Sequence, residues 1–321
     1  MKELRITNYG LRIENYGLIF YGYLSITVIF FSTIFISSCS KNSQIPNPKF
    51  QITDDAGIEI SFDSVPKSII SLAPNITETI FAIGADTLLK GVTDLCDYPP
   101  EAKMKKKTGS YFNPDYEVIT SLNPDLVIMN VENISNPTYQ ALKNMGMKIF
   151  VSNARNIKGI EKMIMDFGKI TGKETAAESI VRNMRNETEL LMNIDEAVRD
   201  TVLVLISVNP LMTTNGRTFI NDILELNHIT NIYRNETLDY PNISYEDVIS
   251  KNPDVIIFPT DTSDVLKNRK FTDEIKRQLE NTNAVKNDRI ILIDENIMFR
   301  PGPRVVKDAG LLRNKYSVDD R

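Results

Sequence analysis

Apolar residues recur three and four positions apart through residues 157–198. They fall at Ile157, Ile160, Met163, Ile164, Phe167 and Ile170, then at Ala177, Ile180, Val181, Met184, Leu191, Ile194 and Val198. This spacing gathers them on one face of a helix. No proline interrupts the stretch, and Gly172 is its one soft point, since glycine inside a helix costs about 1 kcal/mol relative to alanine. The pattern predicts a shorter helix, a break, and a second helix of roughly 25 residues, roughly 37 Å long and able to join two domains.

The flanks of this stretch are alike. Residues 116–129 read YEVITSLNPDLVIM and residues 245–258 read YEDVISKNPDVIIF, so that Tyr, Glu, Ser and Asn-Pro-Asp coincide at a constant offset of 129 residues. Both copies read as a short helix, a turn and a buried strand, and predict two related α/β lobes joined by a helical spine. A hairpin is expected over 50–53 and 57–62, and buried strands over 68–72, 88–92, 125–129 and 148–151. Between them fall helices over 76–83, with Asn75 or Thr77 as cap and Glu78 in the first turn, and over 138–145. The pattern then restarts, with strands over 202–207, 254–258 and 290–293, helices over 219–226, 245–250 and 271–279, and a terminal helix from Pro303. Strands alternating with helices point to a mostly parallel sheet in each half. The expected division is an N-terminal lobe over 50–156, a connecting helix over 157–198 and a C-terminal lobe over 199–321.

The first 38 residues belong to a different regime. Residues 24–36, LSITVIFFSTIFI, are thirteen residues without a charge, the length of a signal-peptide apolar core and short for a membrane span. They run into Ile36-Ser37-Ser38-Cys39, which resembles the bacterial lipoprotein cleavage box, where the cysteine is acylated and becomes the first mature residue. Residues 1–38 are therefore expected to be a lipoprotein signal peptide and residues 39–49 a polar tether holding an exported domain at a membrane. An uncleaved anchor helix is the alternative. With Cys39 lipidated, Cys96 is left without a disulfide partner and is read as a small buried apolar residue.

Composition narrows the function. Apolar residues at 42% and charged residues at 25% are ordinary for a soluble core, and a net charge of −5 argues against nucleic acid as a partner. No G-x-S-x-G, Walker A, G-x-G-x-x-G or H-E-x-x-H is present, and the single histidine, His228, excludes a multi-histidine metal site. The chain is thus not expected to be an enzyme, nor to carry a resident metal or cofactor. Ligand capture between two lobes is the reading that remains.

Five segments in order, 71–78 (SLAPNITE), 97–102 (DYPPEA), 123–127 (NPDLV), 219–222 (FIND) and 300–304 (RPGPR), resemble the substrate-binding proteins of bacterial ABC importers for vitamin B12, ferric siderophores and haem. The resemblance runs from about Phe50 to the C-terminus. It implies two Rossmann-like lobes joined by a single long backbone helix, the class III periplasmic-binding-protein arrangement, with the ligand in the cleft between them. It further implies a monomer that delivers a metal chelate, a corrinoid ahead of a ferric siderophore and haem, to a permease and its ATPase. Glu78 and Glu246 match the family's two surface glutamates that dock on permease arginines. Tyr111 matches an aromatic that stacks on the ligand in the cobalamin branch, and Leu95, Asn130 and Met212 stand where that branch carries aromatics. Pro74, Asn75, Tyr98 and Phe299 complete the implied cleft and its rim. Arg300 and Arg304 either meet acidic groups of a chelate or form salt bridges within the second lobe. The absence of tryptophan departs from the cobalamin branch. A surface adhesin or sensor on the same fold, without a transporter, is the alternative function.

Overall fold

Phe50–Thr53 (β1) and Glu59–Phe62 (β2) pair as the expected antiparallel hairpin, with Phe50 stacked on Phe62. The computed structural model describes residues 50–110, 112–130, 135–193 and 200–318, with side chains to residue 313. The leader, the tether, Cys39 and Tyr111 lie outside these residues.

Two parallel sheets follow. The first comprises β3 (Ile69–Ser71), β4 (Leu89–Val92), β5 (Lys106–Lys107), β6 (Leu126–Asn130) and β7 (Ile149–Ser152), in the order β5-β4-β3-β6-β7. Leu126, Val127, Ile128 and Met129 are all buried, as expected of a strand covered by helices on both faces. Those helices are α1 (Pro74–Ala82), α2 (Tyr116–Ser121), α3 (Pro137–Asn144) and α4 (Ile157–Thr171). After α5 (Glu174–Met192), the second sheet uses β8 (Thr201–Val204), then β11 (Thr230–Asn231), β12 (Val255–Thr260) and β13 (Ile290–Asp294), in the order β11-β8-β12-β13. A small hairpin of β9 (Ser207–Val208) and β10 (Leu211–Met212) lies between β8 and β11 in a segment expected to be loop from Asn209 onward. Helices α6 (Phe219–Leu226), α7 (Tyr245–Lys251), α8 (Val265–Gln278), α9 (Asn283–Lys286), α10 (Glu295–Phe299) and α11 (Val305–Val318) complete the second half.

The repeat has a physical explanation. Asp115 caps α2 by accepting the Val118 N–H, and Ser244 caps α7 by accepting the Asp247 N–H. Asn123 and Asn252 both adopt left-handed backbone, with φ of 43° and 48°, where asparagine is tolerated, and the following proline prevents the helix from resuming. Asp125 Oδ2 then accepts the N–H groups of Lys67 and Ser68 at the foot of β3, while Asp254 Oδ2 accepts the N–H and hydroxyl of Thr201 at the foot of β8. Each Asn-Pro-Asp thus ends a helix and ties the next strand to its neighbour.

The break at Gly172 is a reversal. Gly172 is left-handed, with φ of 67°, and ends α4. A Cβ on Gly168 would lie 2.6 Å from Ala177 Cβ, and Arg185 holds Glu161 at 2.6 and 2.9 Å, so α5 runs back along α4. Phe167 of α4 meets Phe150 of β7 edge-on, whereas α5 packs against α6 and α11 of the second half. The helix between the lobes is described over 19 residues, short of the 25 expected. One continuous apolar cluster runs from Ile76 and Ile80 through Phe167 and Val181 to Ile223 and Val305, which joins the lobes at their base.

Candidate functional site: the interlobe cleft

A cavity of about 650 Å³ opens between the two lobes. In the first lobe the strand order reverses at β3, and the ligand crevice of such sheets lies beyond the carboxyl ends of the strands flanking that point. There Ala73, Pro74 and Asn75 follow β3, Leu95 follows β4, and Asn130 ends β6. Asn153, Ala154 and Arg155 follow β7. The second lobe answers with Thr218 and Phe219 at the start of α6, Asp239 and Tyr240 from a loop, and Glu295, Asn296 and Phe299 from α10. Apolar side chains dominate the walls. Leu95 and Phe112 stand exposed on one side, Phe112 at 91%, and Tyr240 and Phe299 on the other.

The floor is made of amides. Asn130 Nδ2 donates to Asn75 Oδ1 at 2.7 Å, and buried Asn75 donates to the Pro301 carbonyl at 3.3 Å, linking the lobes directly beneath the cleft. α1 was expected to use Asn75 or Thr77 as its cap. It starts instead after Ala73 with Pro74 as first residue and no side-chain cap, because proline has no N–H to satisfy, and this leaves Asn75 to face its partners.

Residues 300–304 fasten the second lobe to the first. Arg300 bonds Asp97 at 2.6 Å, and Arg304 grips both oxygens of Glu78 at 2.7 and 2.9 Å with its guanidinium 3.7 Å above the Tyr98 ring. The bond to Glu78 holds Arg304 even more firmly protonated than usual. One turn on, burial pushes the Asp308 carboxyl up to about 6, against the opposing pull of Arg304. At the far side of the cleft Arg155 of the first lobe pairs with Asp239 of the second, which also holds Arg217.

Residues 69–297 match the family described as periplasmic binding protein. The chain belongs to the periplasmic binding protein family. Among its relatives is an uncharacterised ABC transporter substrate-binding lipoprotein, YvrC, of Bacillus subtilis (strain 168), 29% identical over 84% of this chain and 85% of the relative. The vitamin B12-binding protein of Vibrio parahaemolyticus is 26% identical over 74% of this chain and 85% of its own. In solved structures, the periplasmic vitamin B12 binding protein BtuF of Vibrio cholerae shares the fold with a TM-score of 0.68 and 22% identity, covering 80% of this chain and 99% of that one.

In this periplasmic binding protein Pro74, Asn75, Leu95, Asn130, Phe299 and Arg300 are among the residues that line the cleft. Tyr98 and Arg304 are not: stacked on each other, they line a separate 230 Å³ pocket with Glu78. Met212 is not among the residues that line the cleft either; it lies in the β9–β10 hairpin, paired with Ser207 and bridging Asn242. Arg300 and Arg304 do form salt bridges, but to the first lobe and not within the second. Glu78 is the main correction. It is only 3% exposed and both its oxygens are taken by Arg304, so it is no surface glutamate. The residue equivalent to exposed Glu246, one repeat earlier, is exposed Glu117; both occupy the second position of their helices, α7 and α2. Phe112, Arg155, Asp239 and Tyr240 were missed because they lie in irregular loops without periodicity. Arg155, just past β7, was open to the rule that ligands gather at the carboxyl ends of parallel strands.

Proposed function

We propose that the protein is the solute-binding lipoprotein of an ABC importer, capturing a metal chelate in the interlobe cleft and delivering it to a permease and its ATPase. The observation that carries this reading is the 650 Å³ cavity lined by both lobes, with apolar and aromatic walls over a floor of amides. Such a site buries a large flat ligand and orients it with a few polar groups. Phe112, Tyr240 and Phe299 supply ring surface where tryptophan is missing, which suits a broad macrocycle, and the proposed order is a corrinoid ahead of a ferric siderophore, with haem third. Relatives named as a lipoprotein of an ABC transporter and as vitamin B12-binding support the same assignment. Export and attachment through acylated Cys39 complete the reading; among the described residues no helix is long and apolar enough to cross a membrane.

Docking is assigned to Glu117 and Glu246, exposed carboxylates at matching helix starts, one on each lobe, which suit charge-assisted pairing with a two-fold partner. With the importer reconstituted in vesicles, E117A and E246A are each expected to lower stimulation of its ATPase, and the double variant more so, with ligand affinity retained. Parental stimulation by the double variant would remove the docking assignment.

A further inference from the structure

Both guanidinium groups that line the cleft are already bonded to carboxylates, and each bond crosses from one lobe to the other. Arg300, on the second lobe, holds Asp97 of the first at 2.6 Å and also reaches the Leu95 carbonyl at 3.5 Å. Arg155, on the first lobe, holds Asp239 of the second, and Asp239 is shared with Arg217 at 3.1 Å. The remaining charged lining residue is an acid, Glu295, exposed at the start of α10. A cleft designed for carboxylates or catecholates would offer cations with their donors aimed at the ligand. Here an anionic ligand competes for each arginine with an internal carboxylate that is tethered beside it at high effective concentration and that links the two lobes. The other polar side chains of the lining include the amides of Asn75, Asn130, Asn153 and Asn296, of which Asn130 bonds Asn75, Asn75 bonds the Pro301 carbonyl and Asn296 bonds Asp294; amides both donate and accept.

We infer that the ion pairs Arg300–Asp97 and Arg155–Asp239 act as a charge filter, admitting uncharged chelates fringed with carboxamides and turning away chelates fringed with carboxylates. The inference rests on the reading of the cleft as a metal-chelate site and adds which residues set the ligand's charge class. Asp97 is the place to test it. Its side chain is 48% exposed against 14% for Arg300, so Asp97→Asn frees the arginine with little disturbance of packing. Asp97 acts through Arg300 and is a positioning residue, so the readout is selectivity and not affinity alone.

Dicyanocobinamide, uncharged and fringed with amides, and iron coproporphyrin III, with four carboxylates, are titrated against parent, D97N and D97N/R300Q, following tyrosine fluorescence. The parent is expected to favour dicyanocobinamide. In D97N the affinity ratio of iron coproporphyrin to dicyanocobinamide should rise about fivefold or more, a gain that added salt reduces and that R300Q cancels. A parent that binds either ligand saturably but whose ratio does not move in D97N overturns the filter and leaves the transport reading standing; so does a parent that prefers the tetracarboxylate. A parent that binds neither ligand, nor a ferric siderophore, overturns the transport reading and the filter with it.

Discussion

Asp308 is 5% exposed, one turn after Arg304 on α11, in a site that also feels Glu78, Lys307 and Asp294. Burial raises its carboxyl from 3.8 to about 6, against the pull of Arg304. Between those values the folded protein keeps a proton that the unfolded chain has released, so this residue's contribution to stability falls as pH rises through that window and is fully lost above about pH 6. At about 1.4 kcal/mol per pH unit, Asp308→Asn is expected to stabilise the protein by about 1–3 kcal/mol at pH 7, with no such gain below pH 4. Urea denaturation of parent and variant at pH 4 and 7 reads this difference. A variant less stable than the parent at pH 7 would mean that Arg304 holds the ionised carboxylate strongly enough to outweigh its burial. Single residues were also where sequence reasoning divided most sharply. Asn75, Leu95 and Phe299 were legible because position in an ordered series of motifs carries over to position in a fold. Glu78 was not, because residue type and helix position carry no information about burial, and its partner Arg304 is 226 residues away. The equivalent of Glu246 was visible in the internal repeat all along, at Glu117.

The element that joins the lobes depends on how closely α4 and α5 approach. Gly168 permits it: any Cβ there would collide with Ala177 Cβ and press on the Glu174 backbone at 3.3 Å. Overpacking a tight helix contact costs about 1–3 kcal/mol, so Gly168→Val should lower the unfolding free energy by an amount in that range, read as a lower urea midpoint. An unchanged midpoint would show that the two helices separate at no cost and that their contact does not brace the molecule. Apolar periodicity made both helices legible, as well as the break between them. It could not show that the break turns the chain back on itself, because a left-handed residue at the end of a helix fixes a direction that side-chain spacing does not record. The short pieces β5, β9, β10, β11 and α9 escaped for a related reason: elements of two to four residues are too short to display a period, and long-range pairing determines them.

For the molecule as a whole, two parallel sheets share one apolar base and meet again through residues 300–304, Asn75 and Arg155, with the cleft enclosed between these contacts. Lobes tied at several points leave little freedom to close around a ligand, so affinity has to come from a surface that exists beforehand. The two-lobe plan was legible from the repeat and the alternation of strands and helices, whereas the links across the cleft depend on side chains distant in sequence. The proposed function requires this preformed surface to bind a metal chelate. Isothermal titration of the exported domain with cyanocobalamin, a ferric hydroxamate and haemin, against parent and Phe299→Ala, tests it most directly. The predicted result is saturable one-to-one binding, tightest for the corrinoid, weakened about fivefold or more when the Phe299 ring is removed. Saturable binding of none of the three, or binding that Phe299→Ala leaves untouched, would contradict it.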